Sequence, residues 1–353
     1  MRALTLDDLP ALLRGSQFLG GGGGGYPDTY VPLIVRALER RGPVPMLGVD
    51  ELPGEALCVP IGMIGSSSIS SELMATGDEV ERLLAVIRQR YPQQPAALSW
   101  FEAAGGNGLF PLLAAAVTGL PLVDCDGMGR AFSSLTQTTF RAAGQPLAPL
   151  ILAGRFGDVV VIERESSRVE QVARALVEPS GGWLIAAWHV QTAAGLARDG
   201  IAGAGSALLR IGEASLTARP SEPQHLARAL GGRHLGSGRL IEMTGARPGR
   251  EVELVVRTEP SPERLLRIVG RDESLLVLQD GQVVATVPDV IVLINRDGGT
   301  PVDLERARPG LFLDVVVLPA PRQWLAPAAL SRVDPRAHGY DIDPVLLGKG
   351  RDR

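Results

Sequence analysis

The chain has 353 residues, 45% of them hydrophobic and 21% charged, which suits a soluble globular protein of two domains. Its 39 acidic and 35 basic side chains leave a net charge of −4, and only 4% of residues are aromatic, so neither nucleic acid nor an anionic membrane is the expected partner. The opening residues MRALTLDDLP lack the apolar core of a secretory signal, and the apolar run at 109–123 is too short to span a membrane and is broken by Pro111 and Pro121. Cys58 and Cys125 form neither a disulfide framework nor a cysteine-based zinc site, so a cytoplasmic protein is expected. Lys349 is the only lysine, which removes a Schiff-base, P-loop or general-base lysine from the chemistry.

In chain order, TLDDLPALLRG (5–15) reads as a helix capped by Thr5 and ended by Gly15. Six consecutive glycines, Gly20 to Gly25, follow. A flexible linker is one reading; the other is a loop whose bare backbone permits close approach and, ahead of a helix, offers N–H groups to an anion. DTYVPLIVRALERRG (28–42) predicts a helix with Asp28 or Thr29 as N-cap and Gly42 as terminator. Short apolar runs ALCVPIG, AALSWF and LPLVD then alternate with helical patterns at about 70–90 and 108–118, which predicts an α/β layer with a mostly parallel sheet over residues 1–165.

Residues 166–353 change character: a helical, Ala- and Gly-rich segment precedes a series of strand-like runs at 239–318. Asp280-Gly281 between alternating apolar runs predicts a tight hairpin. The expected fold is therefore an α/β N-terminal domain followed by a C-terminal α+β, β-rich domain of barrel or sandwich type.

Ligands of open α/β sheets bind beyond the carboxyl ends of the strands. After ALCVP come Gly62, Gly65, a serine cluster and Glu72; after AALSWF come Glu102, Gly105, Gly106 and Asn107; after LPLV come Asp124, Asp126 and Arg130 among glycines. Each feature has a bland reading: turn-making glycines, carboxylates that cap the next helix, an arginine that neutralises Asp126. Their convergence favours function, because carboxylates at buried strand ends need partners or a purpose. His189 lies in the apolar stretch LIAAWHVQTAAG and suits a core histidine better than a ligand or base. No HxxxH, HxH or GxSxG pattern occurs, so zincin and α/β-hydrolase sites are excluded. The flanking Asp124 and Asp126 oppose a thiolate at Cys125. Carboxylates could hold a divalent metal, zinc being the first to consider, or act as general acids and bases without one.

The strings LGGGGGGYPDTY, SELMATGDE, EAAGGNGLFPLLAAAVTGLPLVDCDGMGRAF, VPDVIVLIN and PRAHGYDID resemble the S-methyl thiohydantoin desulfurase-like family, in the same order and over nearly the whole chain. The resemblance implies an N-terminal α/β and a C-terminal β-rich domain, kinship with proteins encoded beside hydantoinases, and hydrolysis of a cyclic, hydantoin-like substrate. The chain departs from the family pattern at Ser133 and Ser134, where an acidic residue and a proline are usual, at Cys125, often alanine, and at Leu73, often lysine. A particular substrate therefore does not carry over with the fold.

Together these readings predict a hydrolase for a small cyclic amide or thio-imidate. Glu102, Asp124 and Asp126 would activate water, directly or through a metal, while Arg130 and Asn107 orient the substrate. Gly22, Gly23, Gly24, Gly25, Glu72 and His189 would line its site, with the glycine N–H groups facing an imide or carboxylate oxygen. The rival expectation is a binding or regulatory protein that keeps the cleft without the chemistry; a homo-oligomer is compatible with either.

Overall fold

The computed structural model describes residues 2–245, 251–261 and 264–347; Lys349 lies outside them. Strands β1 (Arg2–Leu4), β2 (Val44–Leu47), β3 (Leu57–Gly65), β4 (Pro95–Trp100) and β5 (Leu122–Val123) precede the short β6 (Cys125–Asp126). After it come β7 (Leu150–Ala153), β8 (Val159–Ile162), β9 (Trp183–Ala187) and β10 (Gln191–Thr192). All but β6 form one sheet of nine strands in the order β1-β2-β5-β4-β3-β9-β7-β8, with β10 on the start of β3. The block β2-β5-β4-β3 is parallel, as strands alternating with helices require. Every other pairing is antiparallel, so the sheet is mixed rather than mostly parallel. Because β9 inserts between β3 and β7, the sheet takes strands from both sides of residue 165.

Helices α1 (Leu9–Leu19), α2 (Val31–Arg41), α3 (Ser67–Glu72), α4 (Asp78–Arg90) and α5 (Gly105–Thr118) belong to the N-terminal half. Helix α1 runs four residues past Gly15, and Gly15 is a packing residue: a Cβ there would lie 2.0 Å from the Leu208 carbonyl oxygen. A Cβ at Gly212 would likewise meet the Ala11 carbonyl oxygen at 1.9 Å, so the two glycines let α1 and the helix Ala204–Thr217 cross backbone to backbone. Gly42 ends α2 with φ 83°, as its sequence predicts, whereas Asp28 and Thr29 fall inside a 3-10 turn, Pro27–Tyr30, that precedes the helix. The expected helix at 70–90 is two helices, α3 and α4, parted at Gly77, whose φ is +100°.

The C-terminal sheet contains β12 (Arg233–Thr244), β13 (Val252–Thr258), β14 (Leu265–Gly270), β15 (Ser274–Gln279), β16 (Gln282–Thr286), β17 (Val290–Asn295), β18 (Thr300–Pro301) and β19 (Phe312–Leu318); β11 (Ile201–Ala202) pairs instead with β6. Its order is β16-β15-β14-β13-β12-β19-β17-β18, antiparallel throughout: one continuous sheet instead of two facing ones. Asp280 and Gly281 turn the β15–β16 hairpin with φ of 50° and 82°. Alternate residues of β17 and β19 explain the apolar runs 290–294 and 315–318. Ile291, Leu293, Val315 and Val317 fill the domain's own core, while Val290, Val292, Ile294 and Val316 enter the core shared with α1. The two domains are thereby joined through the buried apolar surface on one face of these strands.

Candidate functional site

The glycine run lies at the junction of the domains. Gly21, Gly22, Gly24 and Gly25 have φ between 56° and 92°, conformations in which a side chain is strained. Their carbonyls do the joining. Gly21 accepts from the Ser274 N–H and Gly22 from the Leu304 N–H, both at 2.8 Å, while Gly24 accepts from Gly106 N–H at 2.8 Å. A Cβ on Gly23 would stand 1.6 Å from the Asp272 carbonyl oxygen. What comes so close is the β14–β15 turn of the C-terminal domain. The linker reading is therefore excluded, and the carbonyls of the run hold the seam, while the N–H groups of Gly21 and Gly23 turn back to Phe18 and Gly20.

The run also forms one wall of a cavity of about 230 Å³, which opens at the carboxyl ends of β3 and β4. Met63 and Ile64, the serines of α3 and the segment Phe132–Leu135 complete the N-terminal side. The C-terminal side carries Asp272 and Glu273 from the β14–β15 turn, with Asp303 and Glu305 from the turn after β18.

Glu102 sits directly beyond β4, 5% exposed, in the cavity wall. Its Oε2 accepts from Asn107 Nδ2 at 2.7 Å and its Oε1 from the Phe132 N–H at 3.1 Å. Asn107 is itself fixed: its Oδ1 accepts from Met63 N–H at 2.7 Å and its Nδ2 donates to Met63 O at 3.1 Å. Burial pushes the Glu102 carboxyl up to about 8 against those two hydrogen bonds, with neighbouring Glu273 and Asp126 adding to the rise. Glu273, 2% exposed, stands in the opposite wall. Burial pushes it up to about 7, Arg130 opposing the shift and Asp272 assisting it, and its Oε1 has no hydrogen-bond partner among the described residues.

The other residues singled out by sequence stand elsewhere. Asp124 caps the helix Ala204–Thr217: its Oδ1 accepts from Gly205 N–H at 2.7 Å and Ser206 N–H at 3.2 Å, and its Oδ2 from the Ser206 hydroxyl. Asp126 is fully buried behind the cavity and does not line it. Its Oδ2 accepts from Ala103 N–H and Gly129 N–H, both at 2.8 Å, which fixes the segment that carries Glu102. Burial pushes its carboxyl up to about 7.

Arg130 is also fully buried, donating to the carbonyls of Ala131 (2.9 Å), Pro288 (3.0 Å) and Asp289 (2.7 Å), so it braces the C-terminal domain from behind the wall. Glu72 is exposed at the end of α3, outside the cavity lining. His189 is a core histidine with φ 53°, its Nε2 3.2 Å from the Thr138 hydroxyl; burial pushes its imidazole down to about 3, and Arg141 adds to this. Burial raises both thiols, the Cys58 one to about 12 and that of Cys125, beside Asp126 and Asp124, further.

Among the described residues no group of three or more His, Cys, Asp or Glu side chains is arranged to hold a metal ion. The expected set of Glu102, Asp124 and Asp126 is divided between a cavity wall, a helix cap and a buried loop brace, so the donors present do not fit zinc. Sequence reasoning also missed Asp272, Glu273, Asp303 and Glu305. DES and VDLE read as ordinary turn residues, and only the seam between domains gives them a shared cavity.

No helix among the described residues is long and apolar enough to cross a membrane. A crystal structure of a protein from Chromobacterium violaceum is similar at 25% identity and a TM-score of 0.78, over 98% of this chain and 100% of that one. No curated protein matches the chain. The family models for the S-Me-THD-like N-terminal domain and the S-Me-THD-like C-terminal domain match residues 7–164 and 164–347. With the two matches together spanning residues 7–347, the chain belongs to the S-Me-THD-like family.

Proposed function

We propose that the protein hydrolyses a small cyclic thio-imidate of the S-methyl thiohydantoin type, releasing a thiol and leaving a hydantoin-like ring. The observation that supports this most is the pair of buried carboxyls, Glu102 and Glu273, in opposite walls of one cavity, both raised by burial into the neutral range, to about 8 and about 7. Near neutral pH such a pair supplies an acid and a base at once. Phe101, Phe132 and Met128 line the cavity and give a flat, uncharged ring an apolar surface.

In this reaction a water oxygen attacks the ring carbon that carries the methylthio group. The Glu273 carboxylate takes a proton from the water while the Glu102 carboxyl gives its proton to the ring nitrogen. The tetrahedral carbon then collapses: the hydroxyl proton passes to Glu102, the carbon–sulfur bond breaks, and the leaving methanethiolate takes the proton held by Glu273. The sum is thio-imidate plus water giving cyclic amide plus methanethiol, with both carboxyls restored. Asn107, held by Met63, is the positioning residue for Glu102. Asp126 and Arg130 act through the wall, one by bracing the Glu102 segment and the other by opposing the Glu273 shift.

The test is turnover of S-methyl thiohydantoins in ¹⁸O-water by the purified protein. Methanethiol release with one labelled oxygen in the ring product is expected. A ring that binds without releasing thiol would overturn the hydrolase reading and leave a ligand-binding protein.

A further inference from the structure

The cavity is strongly unbalanced in charge. Asp272, Glu273, Asp303 and Glu305 face it from the C-terminal side, and the one cationic side chain in its lining, Arg174, is already engaged by Glu170 at 2.7 Å and by the Ser133 carbonyl. Among the described residues Asp272 and Asp303 make no side-chain hydrogen bond or ion pair, and Glu305 has only the Tyr26 hydroxyl, at 2.9 Å. Glu273 is 98% buried and its Oε1 is likewise without a hydrogen-bond partner. Asp272 and Glu305 are exposed, whereas Asp303 is half-buried and Glu273 buried. Arg306 and Arg130 oppose but do not cancel the rise that burial causes in these last two, and a bound cation would relieve the cost of burying them. The carboxylates are not clustered as a metal ion requires. Separated acceptors along one wall suit a cation that spreads several N–H donors over a plane.

We propose that the C-terminal wall selects ring substrates bearing a cationic substituent, a guanidinium or ammonium group held by Asp272, Asp303 and Glu305. The proposal rests on the preceding reading for the ring, which would face Glu102, and adds the substituent. The two walls then have separate tasks. The N-terminal domain presents the acid to the ring, and the C-terminal domain reads what the ring carries. The glycine run sets the spacing between them, because its carbonyls anchor the turns at Ser274 and Leu304 beside these acids.

The experiment is calorimetric titration of the full-length protein with three hydantoins that differ at one ring carbon: 3-guanidinopropyl, 2-methylpropyl and 2-carboxyethyl. Butylguanidinium serves as a ring-free probe. The guanidino ring is expected to bind about 10- to 100-fold more tightly than the neutral one, as one or two charge-assisted hydrogen bonds allow, with the carboxylate ring weakest. In the double variant Asp272→Asn, Asp303→Asn the ratio of cationic to neutral affinity should fall to about threefold or less. Both changes are isosteric and break no side-chain hydrogen bond, and a melting curve checks the fold. Equal binding of cationic and neutral rings by the native protein, or a preference that survives the double variant, overturns the proposal and leaves the hydrolase reading standing. If no ring binds but butylguanidinium does, and the double variant loses it, the ring reading fails and the cation site stands. If neither rings nor butylguanidinium bind, both are overturned.

Discussion

Replacing Glu102 by glutamine should change the pH dependence of stability in a way that identifies the proton on that carboxyl. Burial holds the folded-state value at about 8 against the ordinary glutamate value of 4.5. Below pH 4.5 the carboxyl is protonated in both states and contributes nothing to the balance. From there to about pH 8 the unfolded chain gives up a proton that the folded protein keeps, so stability falls as pH rises, and above that it levels off. At roughly 1.4 kcal/mol per unit, the penalty is about 3 kcal/mol at pH 7 and about 5 kcal/mol above pH 8.

Glutamine cannot ionise, so the penalty disappears. In exchange it sets an NH2 group against one of two donors, Asn107 Nδ2 or the Phe132 N–H, and Asn107 cannot reverse because Met63 fixes both ends of its amide. That mismatch costs about 1–3 kcal/mol at any pH. Glu102→Gln should therefore be less stable than the native protein at pH 5 and more stable by about 2–4 kcal/mol at pH 8.5. Urea denaturation of both proteins across this range is the assay, and the other buried carboxyls largely cancel in the difference. A stability difference that stays constant from pH 5 to pH 8.5 would refute the assignment of a proton to Glu102.

Gly23→Ala should cost several kcal/mol, about 3 or more, because its Cβ would lie 1.6 Å from the Asp272 carbonyl oxygen and force the domain seam apart. Gly119→Ala, with φ 76° and open space around it, should cost only about 1–2 kcal/mol; thermal melts of the two side by side decide the matter, and equal losses would show that the seam is not tight. Asn107→Ala removes a hydrogen bond that lowers the Glu102 value, so the alkaline limb of activity should move to higher pH while kcat falls; an unmoved limb contradicts the positioning role. Cys58 and Cys125 should resist a thiol reagent in the native protein and both react after denaturation, since each is fully buried and raised.

Local chemistry was legible in the sequence, and contacts between distant segments were not. Gly42 and the Asp280-Gly281 hairpin declared themselves because a single backbone conformation decides each. Gly15 did not, since its purpose lies on Leu208, nearly two hundred residues away in sequence. The strand-exit rule led to Glu102, just beyond β4, and Asn107, in the first turn of α5, both of which line the cavity. It overreached at Asp124 and Asp126, because a carboxylate after a strand that caps a helix or braces a loop has the same local pattern as one facing a ligand. The opposite wall was invisible for a different reason. Asp272, Glu273, Asp303 and Glu305 lie on turns of a separate β domain, and contacts distant in sequence, the carbonyls of Gly21 and Gly22 among them, bring those turns to the N-terminal half.

The measurement that bears most directly on the paired-carboxyl account is kcat/KM for methanethiol release as a function of pH. A base that must be ionised and an acid that must be protonated give a bell, and the pair should titrate with apparent values near 7 on the rising limb and near 8 on the falling one. Glu273→Gln and Glu102→Gln should each lower the maximum by about 100-fold or more. A rate that is flat from pH 6 to pH 9, or that survives either substitution, would contradict it.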